Sequence, residues 1–134
     1  MALTADRNTK RRDGVLYSDP VAAATRLFAG SIVCLDASGN AVPGATATTL
    51  TARGVAQEQV DNRDGAAGDR RVEVRRGVFP FANSASADEI TRADIGNSAY
   101  IVDDETVAKT DGTSTRSVAG VIRDVDDNGV WVEI

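Results

Sequence analysis

The stretch Arg71-Val72-Glu73-Val74-Arg75-Arg76-Gly77-Val78-Phe79-Pro80-Phe81 constrains the fold of this chain more than any other. Val72 and Val74 alternate with Arg71, Glu73 and Arg75, the period-2 pattern of a strand with one dry and one wet face. At Arg76-Gly77 the phase slips. Phe79 and Phe81 fall on the opposite parity from the valines, so an unbroken strand would turn both rings away from the valine face. A β-bulge at Arg76-Gly77 would restore the register, with glycine taking the backbone angles that a bulge demands. Two of the three phenylalanines lie here, so the segment is expected to floor the core. A mid-chain strand with this apolar load needs neighbours on both sides, and short strand patterns before and after it supply them. The expected fold class is all-β: a small single-domain β-sandwich or barrel, jelly-roll-like, with an extended N-terminal arm and at most one or two short helical turns.

A chain of 134 residues suits one domain whose core needs no staples. Its single cysteine, Cys34, lies in Ser31-Ile32-Val33-Cys34-Leu35, and no histidine exists to activate it. A buried structural thiol is expected there rather than a nucleophile. Neither a signal-peptide core nor a spanning apolar run is found, so export and membrane insertion are not expected. The net charge of −5 is unevenly spread. The first thirty residues hold five basic and three acidic side chains, and the rest hold ten basic and seventeen acidic. A basic arm thus precedes an acidic body, and an acidic body argues against nucleic acid as partner.

Residues 1 to 14 lack apolar periodicity and read as an extended arm; residues 15 to 134 read as one β domain. Val15-Leu16-Tyr17 is a short strand ending at Ser18-Asp19-Pro20. From Val21 to Phe28, Asp19, Pro20 and Gly30 could frame a helix, but Leu27 and Phe28 bunch at its end, and extended chain is favoured. Ser31 to Leu35 and Ala41-Val42 form a hairpin around Asp36 to Asn40. Ala45 to Thr51 is a loop or weak edge strand, Arg53 to Val60 a further strand, and Asp61 to Asp69 a turn. After Phe81, Thr91 and Asp94 suggest one capped helical turn closed by Gly96. Ala99 to Val102 and Thr106 to Lys109 flank Asp103-Asp104-Glu105 as two strands, and Ser117 to Val125 and Val130 to Ile134 flank Asp126 to Gly129 as two more. Glycine recurs in Gly54-Val55, Gly77-Val78 and Gly120-Val121, where bulges and tight corners are expected.

No constellation points to catalysis. Asp124-x-Asp126-x-Asn128-Gly129 matches the first six positions of an EF-hand calcium loop, but the bidentate glutamate at position 12 and the flanking helices are missing. Asn-Gly between valine-rich strands is a hairpin signal. Asp103-Asp104-Glu105 are adjacent residues of a tight turn and diverge rather than converge on a cation. Without histidine there is no Ser-His-Asp or Cys-His pair, and no phosphate-binding loop occurs. No metal, no cofactor and no enzyme activity are expected.

Asp6-Arg7-Asn8-Thr9-Lys10-Arg11-Arg12-Asp13-Gly14, Ala29-Gly30-Ser31-Ile32-Val33 and the run from Arg75 to Ser84 resemble the small capsid cement, or head decoration, proteins of tailed bacteriophages. So do Ile90 to Asn97, Tyr100 to Ala108 and the ending Gly129 to Ile134. The resemblance implies an all-β homo-oligomer on the outer face of an icosahedral head, made in the host bacterial cytoplasm and bound to the major capsid protein. Within that reading a dimer is favoured over a trimer, with no nucleic-acid or membrane partner. Arg7, Lys10, Arg11 and Arg12 are the expected contacts to the capsid or to a neighbouring subunit. The alternative is a β-rich carbohydrate or host-surface binding module of a phage particle, which would display aromatic side chains. Phe79 and Phe81 read as internal, leaving Tyr17, Tyr100 and Trp131 for that role.

Overall fold

Short alternating segments separated by Gly, Asp, Asn and Ser build an all-β protein. The computed structural model describes Met1 to Ile134, with twelve strands and two single 3-10 turns. The strands are β1 Leu16–Pro20, β2 Thr25–Leu27, β3 Ile32–Leu35, β4 Ala41–Pro43, β5 Thr51–Ala56 and β6 Val60–Asn62. They continue as β7 Arg71–Arg75, β8 Val78–Phe81, β9 Ser98–Ile101, β10 Val107–Ala108, β11 Val118–Asp126 and β12 Gly129–Glu133. Three sheets result, none closed into a barrel: β1-β7-β5-β3-β4, β10-β9-β11-β12-β8 and the ribbon β2-β6.

The first sheet lies between the other two. Ile32, Cys34 and Val55 from its β3 and β5 cluster with Phe81, Ala99, Ile101, Ile122, Val130 and Val132 of the second sheet. Val33, Ala56, Val72 and Val74 point the other way and cluster with Leu27 and Val60 of the ribbon. This two-sided burial explains why β3 is an unbroken apolar run rather than an alternating one. Cys34 is fully buried in the first of these cores. Burial pushes its thiol up to about 12, far from the thiolate needed for reaction. The native protein is therefore expected to resist a disulfide-exchange reagent at neutral pH, and urea-unfolded protein to release one thiol equivalent promptly.

The stretch from Arg71 to Phe81 is not one bulged strand. β7 belongs to the first sheet and β8 to the second, and the chain crosses between them at Arg76-Gly77. Val72 and Val74 face the ribbon, whereas Phe81 faces the core between the two large sheets. The parity slip is real, but it records a change of sheet. Phe81 is buried, while Phe79 is only half-buried, its ring lying over Gly77. Gly54 and Gly120 do mark slips of register. Arg53 is the extra residue where β5 pairs with β3, and Ala119 where β11 pairs with β9.

Residues 20 to 28 form no helix: Val21 makes an isolated bridge to Ala41, the chain turns at Ala23-Ala24, where Ala24 has φ +55°, and β2 follows. Arg53 to Val60 is not one strand, because β5 ends at Ala56 and β6 starts at Val60 in the ribbon, running into the segment expected to be a turn. Pro20 ends β1 at the edge of the first sheet, where a missing N–H is tolerated. Arg53 reaches across β7 to bond Asp19 through two nitrogens (Nε to Oδ2 2.7 Å, Nη2 to Oδ1 3.1 Å). Its guanidinium also stacks 3.9 Å from the centroid of the Tyr17 ring, a cation–π contact that ties β1 to β5.

Candidate interaction surface

Residues 1 to 13 contain no strand or helix and are exposed throughout. Lacking apolar spacing, the segment has no face to bury, so its side chains stay in water. Arg7, Lys10, Arg11 and Arg12 form no ion pair or side-chain hydrogen bond with the body. The six ion pairs all lie within the body: Arg53–Asp19, Arg63–Asp61, Arg92–Asp124, Lys109–Asp94, Arg116–Asp88 and Arg123–Glu133. The body thus binds five of its own arginines and a lysine, and the arm presents its cations outward.

The acidic segments that could have held a cation are occupied by backbone and arginine. Asp103 Oδ1 accepts the N–H groups of Glu105 (2.9 Å) and Thr106 (2.8 Å), closing the turn between β9 and β10. Asp124 Oδ1 accepts from Arg92 Nη1 (2.7 Å) and from the Val125 N–H (2.9 Å), and Asp126 Oδ1 accepts from the Asn128 N–H (2.8 Å). No three acidic or thiol side chains converge in a way that could hold a metal ion. Asp127 and Asn128 form the two-residue turn between β11 and β12.

Thr91 and Asp94 meet as expected. The Asp94 carboxylate accepts the Thr91 N–H (2.8 Å) and hydroxyl (3.3 Å), and Lys109 Nζ lies 3.5 Å from its other oxygen. The Thr91 N–H and then the Lys109 charge hold Asp94 below the ordinary carboxylate value, against the effect of its burial. A carboxyl whose pKa is lower folded than unfolded stabilises the fold at pH values above its unfolded pKa, and that contribution is lost as pH falls through the folded pKa. Stability is therefore expected to fall in acid, below about pH 4. Asp94→Asn should flatten this acid limb in urea midpoints measured between pH 7 and pH 2.5; an unchanged limb would remove Asp94 from the account.

Of the aromatics, Tyr17 is covered by Arg53, while Tyr100 and Trp131 share the outer face of the second sheet. They stand far apart there, Tyr100 opposite Val118 and Trp131 opposite Asp124, towards opposite ends of β11. Phe28 was not among the expected surface aromatics, yet it is 47% exposed with Arg26 4.5 Å from its ring centroid. The clue was its parity: Leu27 is the buried member of β2, so its neighbour must point out. No protein family, curated protein or solved structure matches this chain.

Proposed function

We propose that this chain is a structural virion protein that binds the outer surface of an icosahedral phage head and cements the lattice of the major capsid protein, acting as a homo-oligomer. The observation that carries the reading is the arm: Arg7, Lys10, Arg11 and Arg12 are exposed and unpaired on a segment tethered to an acidic all-β body. Such cations can make bidentate pairs with carboxylates on another surface. Ordering the arm costs about 1 to 2 kcal/mol of backbone entropy per residue, so a long contact must offset it. A shell that engages each oligomer at several sites meets this requirement through avidity. The resemblance of the chain to phage cement proteins points the same way.

Carbohydrate binding is less well supported, because Tyr100 and Trp131 are too widely spaced to stack one sugar chain as a continuous platform and Tyr17 is covered. A variant beginning at Gly14 tests the proposal. It should keep the wild-type melting temperature, lose occupancy on undecorated heads, and bind residually with a weaker dependence on salt. Undiminished decoration would place the binding surface on the folded body instead.

A further inference from the structure

A concavity of about 780 Å³ opens at the turn between β6 and β7. Glu58, Asp61, Asn62, Asp64, Asp69 and Arg70 contribute to its walls. Asn62 is 2% exposed. Its Nδ2 donates to the carbonyls of Val21 (3.3 Å), Ala22 (3.0 Å) and Ala66 (3.0 Å). Carbonyls only accept, so the amide can be oriented one way: Nδ2 towards the loops and Oδ1 away from them. No group of the chain donates to that oxygen, and Gly65 is the residue beside it. A Cβ on Gly65 would collide with Asn62 Oδ1 and stand 3.2 Å from Asp69 Oδ2. The missing side chain leaves Asn62 Oδ1 open to the cleft as an acceptor that no group of the chain fills, beside Asp69 Oδ2, which already accepts the Ala66 N–H.

The surrounding charge selects the donor. Asp61 is held by Arg63 through two bonds (2.9 and 2.7 Å), and Arg71 is turned onto Ser18 (3.0 Å to the hydroxyl, 2.6 Å to the carbonyl). Glu58 and Asp64 take part in no ion pair, and Asp69 spends one oxygen on the Ala66 N–H (2.9 Å). Arg70 is the cation left on the rim. The carboxylates are too dispersed to chelate one metal ion, a spacing that suits an extended segment carrying several cations.

We infer that this cleft receives the basic arm of a second copy of the chain, through Arg7, Lys10, Arg11 and Arg12. The inference rests on reading residues 1 to 14 as an outward arm, not on the arm's having a capsid as its target. Fully extended, the arm spans about 45 Å, against an expected radius of gyration of about 14 Å for the body. It leaves the body at the start of β1, while Pro20 at the other end of that strand pairs with Arg71 beside the cleft. An arm reaching its own cleft would have to reverse at Gly14 and retrace a strand about 17 Å long. Arg11 and Arg12 are too close to Gly14 for that. A two-fold axis lets both arms exchange, giving an isologous dimer.

Sedimentation velocity on the full chain tests the exchange. Wild type is expected to be dimeric in 50 mM NaCl and to dissociate in 500 mM. Glu58→Lys/Asp64→Lys and Arg11→Glu/Arg12→Glu should each weaken dimerisation at least about tenfold. An equimolar mixture of the two reversed variants should restore a heterodimer, because each arm then meets a cleft of opposite charge. A monomeric wild type, variants that stay dimeric, or a mixture that stays monomeric would each overturn the inference. Decoration of heads by the cleft variant Glu58→Lys/Asp64→Lys, whose arm is unaltered, reads separately: loss of its dimer with decoration retained supports the exchange and leaves capsid binding standing, and a dimeric wild type that fails to decorate leaves the exchange standing.

Discussion

Phe81→Ala is expected to lower the unfolding free energy by about 3 to 5 kcal/mol, the usual cost of emptying a buried phenylalanine site. The ring is 5% exposed and packs among Ile90, Ile101, Val130 and Val132 in the core between the two large sheets. β8 lies at the edge of the second sheet, paired only with β12 through Val130↔Phe81 and Val132↔Phe79. Little backbone holds the strand if its anchor is lost, and the cavity cannot be refilled from the rigid centre of the sheet. A domain of this size has about 5 to 15 kcal/mol of stability in all, so the variant should be substantially unfolded at modest urea concentrations. Phe79→Ala should cost clearly less, because Phe79 is only half-buried. Urea titrations of the two variants provide the check. Equal midpoints would contradict the unequal burial, and a wild-type midpoint for Phe81→Ala would remove the ring from the core.

Gly54→Ala is the second large effect, about 3 kcal/mol or more and a fall in melting temperature on the order of 10 °C. Two separate causes add. Gly54 has φ +152°, which L side chains rarely adopt, and a Cβ there would run into the backbone carbonyl of Arg75 on β7. A carbonyl in a paired strand cannot swing aside as a flexible side chain can, so β5 and β7 would have to part. Gly39→Ala separates the causes: φ is +80° and nothing lies within 4 Å of the new methyl, so only the conformational cost of about 1 to 2 kcal/mol should appear. If the two alanine variants melted together, close approach of β7 would not be what requires glycine at position 54.

The passage from β7 to β8 shows where local reasoning stops. A strand at Arg71 to Arg75, hairpins at Asp36 to Asn40 and Asp126 to Gly129, and a capped turn at Thr91 to Asp94 depend on residues within a few positions of one another. Alternation and turn chemistry are local, so the all-β class and most strands could be read from the chain alone. The slip of phase at Arg76-Gly77 was equally local, but it has two physical solutions, a bulge within one strand or a crossing to another sheet. Only pairing partners far away in the chain, Leu16 to Pro20 for β7 and Gly129 to Glu133 for β8, distinguish them. The exposed basic arm was legible because a segment without apolar periodicity has nothing to bury. The cleft was not: Asn62 reads as a turn residue by composition, and its burial depends on the carbonyls of Val21 and Ala22, some forty positions earlier. Amino-acid types and their spacing settle what can form a strand, whereas the meeting of distant strands decides which faces are covered and which oxygens are left to bind something else.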